Sequence, residues 1–235
     1  MNRFLLYQVL SSFLLVSCQK ILFDEDEIAR EIRPGDFSSI DVRGVFDILL
    51  IQDSADRIEL KGKKDIRTID VGIESGILKI SDPVNMSFNT KRNNLIIHFR
   101  SIENLTLWNP VTINNTDTLR LNMFILAAIA EVVEVNLKVN CNGLIVSSAN
   151  SLGHFNLIGK ADYLFMESWY GCSFLADRLS CRQAEIVHES IGDVYVNASE
   201  TITAFIRGPG NIYYRGNPEI RIAEKKGDGK LIHLN

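Results

Sequence analysis

A short phrase recurs along the C-terminal half of the chain, residues 144–235. Its successive versions are SLGHFNL, YGCSFLA, SIGDVYV, GPGNIYY and GDGKLIH. The third residues of these phrases follow one another at steps of 19, 20, 18 and 19, and they are Gly153, Cys172, Gly192, Gly210 and Gly229. The fifth residues are all apolar: Phe155, Phe174, Val194, Ile212 and Leu231. A period of about 20 residues is typical of a solenoid, in which each repeat buries its apolar face against its neighbours.

The residues around each phrase predict two strands per coil. Segments that alternate apolar and polar residues precede and follow the third position, so one side chain in two should point into the coil. Glycine at that position indicates a tight corner or a backbone with positive φ. The sequence therefore predicts an all-β fold in which stacked coils of about 18–20 residues form parallel sheets.

The composition is that of an ordinary globular protein. Charged residues make up 23% and apolar residues 46% of the 235-residue chain. The formal net charge is −4, the pI is about 5.6 and no basic stripe is present. These values argue against a nucleic-acid partner.

The first 18 residues have the organisation of an export signal. Arg3 precedes the apolar segment 4–17, which is too short to span a bilayer comfortably. The segment ends in Leu-Val-Ser-Cys at Cys18, which resembles the lipobox of bacterial lipoproteins. Cys18 is thus the predicted lipidation site and the predicted membrane contact. The alternative is an ordinary signal peptide with a chance cysteine.

An acidic segment follows the signal. Residues 19–35 include four consecutive acids at positions 24–27 and end at Pro34-Gly35, so we predict a solvated tether before a single domain at 36–235. Acidic residues after a lipidated cysteine also resemble the surface-export signal of Bacteroidetes lipoproteins. We therefore expect an exported outer-membrane lipoprotein on the cell surface, with the periplasmic leaflet as the alternative.

Three cysteines remain after Cys18, namely Cys141, Cys172 and Cys181. Their spacing matches no zinc or thioredoxin-like motif. We expect buried thiols, and a Cys172–Cys181 disulfide is the alternative.

The part before the repeats, 36–118, is rich in short alternating segments such as 57–62, 68–81 and 94–100, which predict strands. The segment 121–139 is ambiguous, because apolar residues fill most of its positions and its composition also suits a helix. We interpret residues 121–134 as buried strands joined near Ala130-Glu131, with a helix as the alternative.

Three phrases of the chain resemble a known family. They are FSSIDVRGVFDI at 37–48, the segment 73–80 with a glycine before the short strand LKI, and IYYRGNP at 212–218. They resemble the family of putative auto-transporter adhesins with a head GIN domain, which are common lipoproteins of Bacteroidetes. The resemblance spans residues 37–233 and implies a right-handed parallel β-helix or β-solenoid without an established catalytic activity. It supplies no site residues.

Two aromatic doublets are the candidate binding residues. Trp169-Tyr170 precede one corner and Tyr213-Tyr214 follow another, so alternation should point one ring of each pair inward and one outward. Outward rings on a flat wall would suit a glycan or a protein surface. Rings that only cover the ends of the stack are the alternative.

Catalytic chemistry has weaker support. The acids that could face one another on adjacent coils are Asp177, Glu185, Glu189 and Asp193, and the nearby cations are Arg178, Arg182 and Arg207. They are scattered through turns as on a solvated surface, and the four histidines lack ligand spacing, so we predict no metal and no cofactor. The first hypothesis is therefore a non-enzymatic envelope protein for adhesion or glycan binding. The alternatives are a carbohydrate-active enzyme, such as a lyase or glycosidase, and a purely structural envelope protein.

Overall fold

The structure is a computed structural model that describes residues 28–62, 64–83, 92–130, 132–149 and 152–235. The predicted signal with Cys18 and the acidic run 24–27 lie outside these residues. Within them the chain is nearly all-β, with seventeen strands and one short 3-10 helix, Lys64–Thr68.

Short strands build the N-terminal part and longer ones the C-terminal part. The N-terminal strands are β1 (Ile28–Ile32), β2 (Ser39–Arg43), β3 (Phe46–Gln52), β4 (Arg57–Gly62), β5 (Asp70–Glu74), β6 (Ile77–Ser81), β7 (Asn93–Phe99), β8 (Asn104–Leu107) and β9 (Val111–Asn115). The C-terminal strands are β10 (Leu119–Ala128), β11 (Val132–Ser148), β12 (Leu152–Tyr170), β13 (Ser173–Ser190), β14 (Val194–Ile206), β15 (Ile212–Arg215), β16 (Glu219–Lys225) and β17 (Leu231–His233).

The strands stack into two parallel sheets, which we call wall 1 and wall 2. Wall 1 runs through β7, β3, β9, the first parts of β11 to β14, then β15 and β17. Wall 2 runs through β6, β2, β8, β10, the second parts of β11 to β14, then β16. The predicted β-solenoid is confirmed.

The recurring apolar residues form one continuous column inside wall 1. Phe155, Phe174, Val194, Ile212 and Leu231 pair with one another in direct register. The same column continues towards the N-terminal end through Val135, Ile113, Ile48 and Leu95. The rings of Phe155 and Phe174 stack at 4.5 Å between centroids. The repeat in the sequence therefore marks the inner face of the coil.

Residues 121–134 are strands, as we interpreted them, rather than a helix. β10 ends at Ala128 and β11 begins at Val132. Phe124 and Leu126 point into the core and are fully buried, whereas Ile125 between them lies outward and is half-buried. The segment resembles a helix in composition because apolar residues occupy both its inner and its outer positions.

Glycine lies at the corners that the sequence predicted, but a positive φ is not the reason for glycine there. The glycines with positive φ in the described residues do not include Gly192, Gly210 or Gly229. A Cβ built on Gly210 would lie 2.1 Å from the carbonyl oxygen of Gly192, and one on Gly229 would lie 2.0 Å from that of Gly210. Glycine is needed there because consecutive corners approach each other closely.

The N-terminal end of the stack is covered by antiparallel strands. β4 pairs with the edge of β7, β1 pairs with β4, and β5 pairs with β6. β1 lies within the segment 19–35 that we predicted to be a solvated tether, so the described part of that segment includes a strand. Ile28 and Ile32 pack against the core from it, which explains why it does not stay in solvent.

Coil order differs from chain order in this part. β2 lies between β6 and β8, and β3 lies between β7 and β9. The chain thus forms the coil of β2 and β3 first, and the later strands β6 to β9 pair with both sides of that coil.

The predicted buried thiols are present. Cys141, Cys172 and Cys181 are buried, and none of them forms a disulfide within the described part of the chain. Burial raises the pKa of Cys141 to about 11 and that of Cys181 to about 12. Such thiols are unreactive at neutral pH because the thiolate is scarce.

Candidate binding surfaces on the two walls

The first aromatic doublet lies at the end of β12, where wall 2 meets a corner. The inward position there is taken by Ser168, which is fully buried, and Trp169 is half-buried on the outer side. Tyr170 is 61% exposed and has a φ of 58°. Neither ring enters the core, contrary to the expected alternation, because the backbone turns at Tyr170.

The second doublet follows the expected alternation on wall 1. Tyr214 packs against the core and lies 4.9 Å from the ring of His233. Tyr213 lies on the outer face and stacks on Tyr195, with 4.8 Å between centroids and 13° between planes. The stacked rings cover one another's inner faces, so this pair presents mainly edges and hydroxyl groups. The two doublets lie on different walls and do not form one site.

A larger apolar surface lies on the outer side of wall 2. Three coils contribute three outward positions each, in direct register. We call these nine residues the apolar block: Met123, Ile125 and Ala127, then Gly143, Ile145 and Ser147, then Tyr163, Phe165 and Glu167. Glu167 is the single charged member.

Several members of the block are open to solvent. Met123 is 40% exposed, and Ile125, Ile145 and Phe165 are half-buried. Gly143 keeps the block flat, because a Cβ there would lie 2.5 Å from the end of the Met123 side chain. Trp169 adds an aromatic ring two residues beyond Glu167.

Wall 1 is polar at the middle of the same coils. Its outward residues there are Glu134, Asn136 and Lys138 on β11 and His154 and Asn156 on β12. Apolar outward residues flank them at Val132, Leu152 and Ile158, and Leu152 is 63% exposed. Further along, Leu175 is 44% exposed and Tyr195 stacks on Tyr213. On wall 1, polar residues thus interrupt the apolar ones.

One feature of the sequence indicated the apolar block, although the aromatic doublets did not. Residues 123–130 are apolar without interruption. Strands that read as continuous apolar runs are ordinarily covered on both faces. In this chain the inner face is covered by the core and the outer face is open.

The charges beside the block are mostly acidic. Tyr163 donates its hydroxyl to Glu185 at 3.2 Å, and burial together with this carboxylate raises the pKa of Tyr163. Glu189 is held by Arg207 at 2.7 Å. Among the described residues, Glu167 has no ion pair or side-chain hydrogen bond.

The residues considered for catalysis do not converge. Glu185 and Glu189 lie on wall 2, whereas Asp193 belongs to the corner before wall 1 and accepts a hydrogen bond from the backbone N–H of Asn211. Arg182 pairs with Glu200 at 2.7 Å, and Asp177 lies 3.6 Å from Arg215. Glu189, Arg182 and Asp177 each belong to a separate ion pair. Within the described part of the chain, no three His, Cys, Asp or Glu side chains are grouped to hold a metal ion.

Buried polar groups line the inner side of the same corner. Ser168 and His188 are fully buried, and Ser168 Oγ lies 2.6 Å from His188 Nδ1. His188 Nε2 has no hydrogen-bond partner. Burial lowers the pKa of His188, so the ring is neutral at pH 7. Enclosure inside the stack makes this pair structural.

The described residues form a β-solenoid whose wall 2 carries the apolar block on its outer face. In the described residues no helix is long and apolar enough to cross a membrane. Residues 36–218 match the family model described as "Putative auto-transporter adhesin, head GIN domain". That match covers most of the chain, which therefore belongs to this family. No curated protein matches it significantly.

Solved structures share the fold. A putative adhesin from Bacteroides fragilis has a TM-score of 0.83 at 23% identity, covering 89% of this chain and 98% of that one. A putative lipid binding protein from Parabacteroides distasonis has a TM-score of 0.67 at 20% identity, covering 90% and 98%. A putative adhesin from Parabacteroides merdae has a TM-score of 0.64 at 15% identity, with the same coverage of 90% and 98%. At these identities the likeness concerns the fold alone.

Proposed function

We propose that this chain is a lipid-anchored, non-enzymatic protein of the outer membrane that presents its solenoid on the cell surface for adhesion. The family points to an adhesion-type role in the cell envelope. The observation that carries the finer proposal is the apolar block, an open surface with one charge in nine positions.

An open apolar surface of this kind has a physical meaning. Apolar side chains left in water lose the stabilisation of burial, about 25 cal/mol for each Å² that a partner could cover. Contiguous apolar patches on soluble proteins therefore mark interaction sites. Wall 2 keeps its shape without a partner, because its backbone hydrogen bonds are satisfied within the sheet.

The ligand is a glycan or a protein on another surface. Trp169 and Tyr170 extend the block towards the corner and are its aromatic candidates, since an indole or phenol combines an apolar face with a polar group. Tyr213 and Tyr214 are secondary candidates on wall 1, because their rings are already stacked against Tyr195 and His233.

Anchoring by Cys18 completes the proposal. A di- or triacylated cysteine holds a protein on a membrane stably, whereas a single chain does not. β1 begins ten residues after Cys18 (28 minus 18), so the connection spans at most about 35 Å when extended. The solenoid would stand close to the membrane with β1 and β4 at its near end.

An adhesion assay with matched variants tests the role of the block. Cells that display the full chain should adhere to mucin-coated or cell-coated surfaces, and Phe165→Lys should abolish most of that adhesion. Leu175→Lys, an equally outward change on wall 1, should leave it intact. Far-ultraviolet circular dichroism of both variants checks that the fold is retained. Equal adhesion of all three proteins would overturn the role of the block, and no adhesion above that of cells lacking the chain would favour a purely structural envelope protein.

A second assay addresses the enzymatic alternative. A carbohydrate-active enzyme of this fold would release products from a polysaccharide, and Asp193→Asn or Arg182→Gln would stop the release. We expect no products from any variant, because Asp193 and Arg182 do not converge with the other acids and arginines on one site.

A further inference from the structure

We infer that the apolar block takes a short polypeptide segment that is apolar and carries a lysine or arginine opposite Glu167. This inference rests on the proposed function and specifies its partner. Three properties of the block lead to it: its size, its single carboxylate and the satisfied backbone of its wall.

The block is too small for a stable dimer of this chain. Three strands spaced by ~4.8 Å and the five residues 123–127 at ~3.3 Å each give an area of about 240 Å². A stable protein–protein interface needs roughly 800 Å² on each partner. An area of this size instead matches the apolar side of a short segment.

Glu167 also argues against a second copy. It lies between Phe165 and Trp169 on the last coil of the block. A two-fold interface that covers the block would enclose two Glu167 carboxylates, and the block contains no cation to pair with them. A desolvated carboxylate without a partner destabilises an interface.

A cation from the partner would meet an unopposed acidic field. Glu167 has no ionic partner in the described part of the chain, and Glu185 in the next coil is bound only by the neutral hydroxyl of Tyr163. Of the cations on the following strands, Arg207 is occupied by Glu189 and Glu224 at 2.7 and 2.6 Å, and Arg221 is occupied by Glu219 at 2.9 Å. A lysine or arginine at this point gains a free carboxylate and displaces no existing ion pair.

The partner binds through side chains, because most of the block lies on strands that already have neighbours on both sides. β11 and β12 are paired on both sides, and β10 is paired with β8 from Ile125 to Ala128. Strand addition is therefore excluded at these residues. Apolar side chains of the segment would pack on Ile125, Ile145 and Phe165, as two layers pack across a core.

Two synthetic peptides with the same leucines test this inference on the purified, lipid-free chain. One carries lysine at its polar positions and the other carries glutamate. We expect the leucine–lysine peptide to bind more tightly by about twofold to fivefold for each ion pair formed at the surface, measured by fluorescence anisotropy. Neutral phosphatidylcholine vesicles serve as a third probe.

Matched variants separate the possible outcomes. Glu167→Gln should remove much of the preference for lysine, and Glu134→Gln, which removes an exposed carboxylate from wall 1, should preserve it. Phe165→Lys should weaken binding of the leucine–lysine peptide at least tenfold, and Leu175→Lys should not.

The results distinguish failure of the partner from failure of the surface. Equal binding of both peptides, still lost in Phe165→Lys, would overturn the basic segment and leave the block as the binding surface. Binding of vesicles with the same dependence on Phe165 would replace the polypeptide by a lipid. Peptide binding that is indifferent to Phe165→Lys would overturn the proposed function of the block itself.

Discussion

Single atoms decide which residues the corners accept. The carbonyl oxygen of Gly192 lies 2.1 Å from the position that a Cβ on residue 210 would take, and His188 Nε2 lies 2.7 Å from the same position. An ordinary side chain fits only if consecutive coils move apart. Cys172 shows that an earlier corner is less crowded, since it accepts a side chain that is fully buried against Ser148.

Gly210→Ala should therefore lower the free energy of unfolding by about 1–3 kcal/mol, the usual effect of forcing extra volume into a packed site. Gly72→Ala is the matched control, because a Cβ at Gly72 has no atom within 4 Å and φ there is not positive. The control should change stability by less than about 0.5 kcal/mol. Urea denaturation measures both, and equal midpoints would refute the close approach of the corners.

His188 should make stability depend on pH. Burial lowers its pKa in the folded chain below the ordinary value of 6.5. Below that pH the unfolded chain binds a proton that the folded chain refuses, so the free energy of unfolding falls as the pH falls. Above pH 6.5 both states are neutral and the contribution is constant.

His188→Gln, which can still bond to Ser168, should flatten the melting temperature against pH between about 5 and 6.5. His154→Gln is the control, since His154 is exposed on wall 1, and its curve should parallel the wild type. A His188→Gln curve that also stays parallel would show that this ring is not held neutral by the fold.

At the scale of elements, the two ends of the stack differ. β1 and β4 cover the edge of wall 1 at the N-terminal end, and Arg30 of β1 donates from Nη1 to the carbonyl oxygen of Ile69 at 2.9 Å. At the other end, wall 2 finishes in the charged strand β16, whose register is shifted by a bulge between Ala204 and Phe205 of its neighbour. Charges and bulges discourage edge pairing.

A chain shortened to 36–235 should lose this protection. It keeps the whole family match but lacks β1, so β4 gains a free edge and the core loses Ile28 and Ile32. We expect a lower melting temperature and concentration-dependent association, measured by size-exclusion chromatography. The fragment 28–235 should remain monomeric. Identical behaviour of the two fragments would show that β1 does not protect the edge.

The inner column could be predicted, because a residue that packs on its own counterpart in the next coil must recur at the coil period. The outer block could not be predicted from that period, since its apolar counterparts Ile125, Ile145 and Phe165 are confined to three coils. The order of β2, β3, β6 and β7 could not be predicted either, because alternation of apolar and polar residues predicts a strand but not which strand pairs with it.

The predicted site had a similar limit. Doublets of aromatic residues suggested exposed rings, but Tyr214 is needed to close the core and Tyr213 stacks on Tyr195. Such roles depend on which coil lies above, and that information is not local in the sequence. Trp169 lies beside the apolar block, which is the surface proposed for binding.

For the whole molecule, the central expectation is attachment to a membrane through Cys18. Cys18→Ala should abolish incorporation of radiolabelled palmitate and move the protein from the membrane fraction to the soluble fraction. Cys141→Ala should leave both unchanged, because its neighbour in the same column is already Ala161. Palmitate incorporation that survives Cys18→Ala would refute the lipobox.

The continuous column between Leu95 and Leu231 has a consequence for how such proteins can change over time. Each coil presents nearly the same inner surface above and below, so a duplicated coil of about twenty residues meets compatible neighbours on both sides. Each added coil would raise the far end by ~4.8 Å. Relatives can thus vary in the length of the stack in whole steps, while the N-terminal cap of antiparallel strands stays the same.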